Sequence, residues 1–194
     1  MKFISHSNKV FKTFDSDFKT IIATLEKVGD SDIRDKIINV NFILDYLFLA
    51  DICNHLTVCS ESVQSTKNLP WHYPKASDTL ALKISSMIDM LKDCQAKLFA
   101  DELSDLSPIM FPKFSSYSKI LEKHEYKGIP LPDIPVSSIA TRSITRYLTR
   151  GNNKNQSSAV EDKNTVYSMI NDRFTGYIDY LTKLQDNLKQ RFSC

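Results

Sequence analysis

Residues 42–52 read FILDYLFLADI, and this stretch decides the fold. Apolar side chains occupy more than one helical face here, with Asp45 and Asp51 as the only charges. The stretch lies inside a longer segment. Ile33, Ile37, Val40, Leu44, Leu47, Phe48, Ile52, Leu56, Cys59 and Val63 recur at helical spacing, so one helix is expected over 32–64. Ser31 and Asp32 open it, and Asp32 and Asp35 put negative charge where the helix dipole favours it. A helix apolar on most sides belongs near the middle of a bundle. Interrupted by its aspartates, the stretch falls short of the roughly 20 apolar residues that span a bilayer, so no membrane partner is expected.

Working outward, Val10, Phe14, Phe18, Ile21, Leu25 and Val28 mark a helix near 5–29, which Gly29 would cap; Phe11 and Ile22 widen the stripe. After residue 64, Pro70 and Pro74 break the pattern. Ser77 or Asp78 can then cap a helix over 78–101, with Leu80, Ile84, Met87, Leu91, Cys94 and Leu98 as its stripe. Residues 103–137 carry five prolines and read as an irregular, flexible arm, with a short helix at 117–126. A second short helix is expected at 138–150. Residues 151–164 are polar and aperiodic, hence flexible. A last helix, 165–192, tolerates Gly176 at a cost of about 1 kcal/mol. No strand of period two stands out. The expectation is a single all-α domain, 1–194: a bundle of four long amphipathic helices with an irregular Pro-rich arm between the third and fourth.

Composition narrows the function classes. Four glycines are few for loops that cradle phosphates, and the common nucleotide-binding and hydrolase strings are absent. A net charge of +2 predicts neither a nucleic-acid nor a membrane partner by itself. Cys53, Cys59, Cys94 and Cys194 are too sparse for a disulfide scaffold, which favours a reducing, intracellular compartment.

Few residues invite chemistry. Cys53, His55 and Cys59 suggest a metal site, with Cys94 needed as a fourth ligand, but small core residues on an apolar stripe explain the cysteines better. A cysteine paired with His72 or His124 lacks any local signature. Asp45, Asp51, Asp89, Asp93, Asp101 and Glu102 read as solvated faces or helix-terminal partners. No metal, cofactor or small-molecule substrate is expected.

The clearest local signal is basic: no acidic residue lies between Ile134 and Val160. Arg142, Arg146 and Arg150 form one helical ridge, with Tyr147 beside it and Lys154 following, and this ridge is the candidate DNA-phosphate contact. A solvated helix face is the plainer reading. Trp71 and Tyr73, between two prolines, are candidate anchors for a protein partner, although such a knot more often plugs a bundle end.

Leu47-Phe48-Leu49-Ala50-Asp51-Ile52, then Leu56 and Ser60, ending at Val63-Gln64, together resemble a segment of hAT-superfamily transposases and their domesticated relatives. Residues 80–91 look like the helix that follows there. Tyr177, Tyr180-Leu181, Leu184, Leu188 and Arg191-Phe192 look like the family's closing helix. The resemblance covers about 15–100 and 165–192; residues 103–164 match nothing. It implies the helical insertion that interrupts a ribonuclease-H-like domain, a nuclear location, and an ancestral role in holding DNA and partner subunits. No residue here matches the family's three catalytic acids, its arginine-tryptophan motif or its zinc finger, so the resemblance implies no transposase activity.

The resulting expectation is a non-catalytic helical scaffold that binds a protein partner or another copy of itself. The alternatives are a DNA-binding module without sequence preference, and an enzyme, which would need a cleft with convergent polar groups.

Overall fold

A computed structural model describes residues 2–64, 72–99, 103–132 and 156–192. The fold is all-α. In chain order the elements are α1 (Lys2–Val28), α2 (Ser31–Ile37), α3 (Val40–Gln64), α4 (His72–Phe99), a 3-10 turn (Phe114–Ser116), α5 (Tyr117–Lys123), β1 (Glu125–Tyr126), β2 (Ile129–Pro130) and α6 (Gln156–Phe192).

The helix expected over 32–64 is two helices. The side chain of Asn39 accepts from the backbone N–H of Asn41 at 2.9 Å and so starts α3 afresh. Periodicity hides the break, because Ile38 and Val40 on either side of it are both buried. Asp30, not Ser31 or Asp32, caps α2 by accepting from the N–H of Ile33. Gly29 ends α1 at φ +80°, the left-handed conformation that a side chain resists. Along α1, Phe18 and Ile22 are buried while Val10 and Val28, expected on the stripe, are exposed, so the buried face is rotated toward Ile22.

α4 starts at His72, earlier than expected, because Pro74 falls in its first turn, where no intrahelical N–H is needed. α6 also starts early, at Gln156, and takes in part of the stretch expected to be flexible. The short helix at 138–150 lies outside the described residues.

α3 occupies the centre. It packs against α1, α4, the 3-10 turn and, through Phe48, Tyr177 of α6. By length and composition Val40–Gln64 could cross a membrane, contrary to the shorter reading of 42–52, but half of its most apolar stretch is buried against the other elements. α4 and α6 run antiparallel: Gln95 reaches Thr175 at 2.8 Å and Gln185 reaches the carbonyl of Ala81 at 3.3 Å.

Residues 103–132 correct the expectation of a flexible arm, since they are packed into the core. Leu106, Phe111, Phe114, Tyr117, Leu121, Tyr126 and Leu131 are all buried. Each such side chain contributes about 2 kcal/mol of burial, enough to hold a segment that lacks long helices. It also holds the two-residue hairpin, Glu125–Tyr126 against Ile129–Pro130, which no alternation in the sequence announces. Phe114 is its hub, with ring contacts to Phe48 of α3, Tyr117 of α5, and Phe174 and Tyr177 of α6 at 5.4–6.0 Å.

Two aspartates clasp this segment. The carboxylate of Asp51, 1% exposed, accepts from the backbone N–H of Lys113 at 3.0 Å and of Phe114 at 2.9 Å. Burial pushes its pKa up to about 6, only partly opposed by those two N–H groups and the nearby Lys113 charge. Asp15 of α1 receives the Lys113 ammonium at 2.7 Å, the Lys127 ammonium at 2.7 Å and the Tyr126 hydroxyl at 2.8 Å. Burial alone would raise its pKa, but these donors outweigh it and hold the group at about 2.

The two groups therefore depend on pH in opposite directions. Asp51 favours the fold below its ordinary value of 3.8, and that contribution is lost as pH rises through about 6. Asp15 favours the fold above 3.8, and that contribution is lost as pH falls toward 2. Asp51→Asn should flatten the decline in urea stability between pH 4 and 7; an unchanged profile would assign the decline to other groups. Asp51→Ala, which orphans two buried N–H groups, should cost roughly 2–4 kcal/mol. Gly176 has open space where a Cβ would stand, so Gly176→Ala should raise stability by up to about 1 kcal/mol in the same assay.

Candidate functional site

From Val40 to Ile52 α3 is buried around most of its circumference, yet one narrow stripe faces outward. Phe42, Leu49, Cys53 and Leu56 follow one another at helical spacing; Phe42 is 40% and Leu49 36% exposed, and Cys53 and Leu56 are half-buried. The stripe is bordered on the α1 side by Phe14, whose ring meets Phe42 at 5.9 Å. On the α6 side it is bordered by Tyr180, 44% exposed, whose ring meets Phe48 at 6.2 Å. Ordinary amphipathic helices turn polar residues outward. Here the outward stripe of the most apolar helix is itself apolar.

Polar groups beside the stripe are tied together. Asp45 receives Arg173 at 2.6 Å and the Tyr177 hydroxyl at 2.7 Å, and Arg173 also donates to Asn41 at 3.2 Å. Burial, and then the bond to Asp45, push the Tyr177 phenol well above its ordinary value. Asp45 thus joins α3 to α6 at the edge of the stripe and holds that edge in place.

The residues singled out from sequence separate. Cys59 and His55 line a groove between α3 and α4 of about 330 Å³, together with Lys75, Thr79, Leu80 and Lys83. Cys53 lies instead on the outward stripe, and Cys94 is buried against Ser104, whose hydroxyl meets its sulfur at 3.1 Å. Cys94 is eleven residues beyond Lys83, roughly 16 Å along α4 from the groove, so it cannot complete a ligand set there. No group of three or more metal-ligating side chains occurs among the described residues.

The Cys59 thiol points its weak hydrogen bond at the carbonyl of Ala76. Burial raises its pKa, opposed in part by Lys83, whereas an activated nucleophile needs a lowered one. His55 is held through Nε2 to the carbonyl of Met110 at 2.8 Å. Both ring nitrogens of His124 are buried with no hydrogen-bond partner among the described residues, so it pairs with no cysteine.

Arg142, Arg146, Tyr147, Arg150, Lys154 and Trp71 lie outside the described residues, and Tyr73 falls on the first turn of α4. Sequence reasoning missed the outward stripe because Phe42 and Leu49 look like further core positions. The signal was present in the excess of apolar faces on 42–52, more than neighbours could cover.

The architecture defines a helical bundle with a central apolar pillar. Comparison with known proteins finds no family model, no curated protein and no solved structure that matches the chain.

Tyr177→Phe should cost about 1 kcal/mol in urea unfolding, because it leaves Asp45 one donor short while keeping the ring. In an Asp45→Ala background the same change should cost nothing; an equal cost in both backgrounds would mean that the hydroxyl acts elsewhere.

Proposed function

We propose that this chain is a non-catalytic helical interaction module, and that the α3 stripe joins it to a second copy of itself. The observation that carries the reading is the outward apolar run of Phe42, Leu49, Cys53 and Leu56 with Tyr180 beside it. From residue 42 to 56 the stripe is roughly 21 Å long, a useful length for one helix lying across another. A two-fold contact brings the same surface to both sides, so its rim must complement itself. Asp45 and Arg173 neutralise each other within each copy, so that rim sets no unpaired charge against its twin, and a net charge of +2 gives two copies little mutual repulsion.

The resemblance to the hAT insertion fits such a role, because that insertion contacts partner subunits. It rests only on the leucine-rich spacing of α3, α4 and α6, and nuclear location and DNA contact rest on it and on the basic ridge from Arg142 to Lys154.

Sedimentation of the full chain over a concentration series tests self-association. The expected outcome is a monomer–dimer equilibrium at micromolar to tens-of-micromolar concentration. Leu49→Lys, at an exposed position, should leave helicity and thermal stability unchanged while shifting the protein to monomer. A wild-type monomer throughout the series, or a dimer indifferent to Leu49→Lys, would contradict the reading.

A further inference from the structure

The groove between α3 and α4 has a character that the interaction role does not use. Its apolar lining is Leu80, which is buried, Ala76, which is half-buried, and Val58, which is 52% exposed. Its charged lining is wholly cationic: Lys75 and Lys83, with no carboxylate among the lining residues. Neither lysine forms an ion pair with a described residue. Lys75 and Ala76 also belong to the start of α4, a 28-residue helix whose N-terminal end carries partial positive charge. Thr79 and Ser62 add hydroxyls to the wall, and Cys59 lies within it. A volume of about 330 Å³ is at the lower end of small-ligand pockets.

We propose that this groove binds a small organic anion: a carboxylate held between Lys75 and Lys83, with a short aliphatic body on Val58, Ala76 and Leu80. Two ammonium groups with no acidic neighbour in the lining favour an anion over a cation or a neutral molecule. The apolar lining favours a molecule with a hydrocarbon part over a bare inorganic anion. His55 is fixed on the α3 wall by its bond to the carbonyl of Met110 at 2.8 Å. The site is distinct from the outward stripe on α3, and either can stand without the other.

Octanoate is a suitable probe, with octylammonium and inorganic phosphate as comparisons, titrated calorimetrically into the full chain. Saturable one-to-one binding of octanoate is expected, at submillimolar concentration. Lys83→Glu and, independently, Lys75→Glu should each weaken it about tenfold or more, with circular dichroism unchanged. Octanoate should also slow alkylation of Cys59 by iodoacetamide, a readout that reports occupancy of the groove itself. Octylammonium bound as well as octanoate would overturn the proposal, as would phosphate bound as tightly, octanoate binding indifferent to both lysine variants, or no saturation below about 10 mM.

Discussion

The structure depends on one buried carboxylate. Asp51 sits on the central helix, out of contact with water, and spends its acceptor capacity on the backbone N–H groups of Lys113 and Phe114. A buried charge without partners would cost several kcal/mol, so the chain is compelled to bring residues 113 and 114 to this place. Once there, each residue does a second task. The Lys113 side chain reaches Asp15 on α1, and the Phe114 ring enters the aromatic cluster between α3 and α6. One pair of backbone donors therefore fixes the position of a segment that touches all four long helices.

The rest of the bundle follows from where that segment lies. With one side of α3 covered by 103–132, α1 and α4 take adjacent sides, and α6 closes over Phe48 and Asp45. Polar ties set the register of each layer: Tyr46 to the carbonyl of Phe11, Gln95 to Asn171 and Thr175, and Asp45 to Arg173 and Tyr177. Hydrophobic burial is non-directional, whereas these bonds select one arrangement among several that bury similar area. Among the surfaces these layers leave open to solvent are the Phe42–Leu56 stripe and the α3–α4 groove.

Much of the fold was legible in the residues because helical periodicity is local. The presence of four long helices and the central place of the segment read as one helix over 32–64 follow from spacing alone. Gly29 and Gly176 also read correctly, as a cap and as a tolerated interruption. What spacing could not show was non-local. Residues 103–132 looked irregular because their prolines interrupt any period, yet their buried aromatics are supplied singly, each to a different neighbour. Asp51 looked like one of several scattered carboxylates, and only the fold brings it to an N–H pair more than sixty residues away. The break at Asn39 was hidden because its side chain caps the N–H groups of Asn41 and Phe42 without disturbing the apolar stripe. For the site, the sequence pointed to the Arg142–Lys154 ridge and to Trp71, which lie outside the described residues, and to Tyr73, on the first turn of α4. The surface the structure leaves open was disguised as core.

Native-state hydrogen exchange at the amides of Lys113 and Phe114 tests the central claim most directly. If Asp51 anchors the segment, those two amides should exchange as slowly as the interior amides of α3, and through the same cooperative opening. Exchange at rates close to those of an unstructured chain, while α3 remains protected, would contradict the account and reduce residues 103–132 to a loosely held appendage of the bundle.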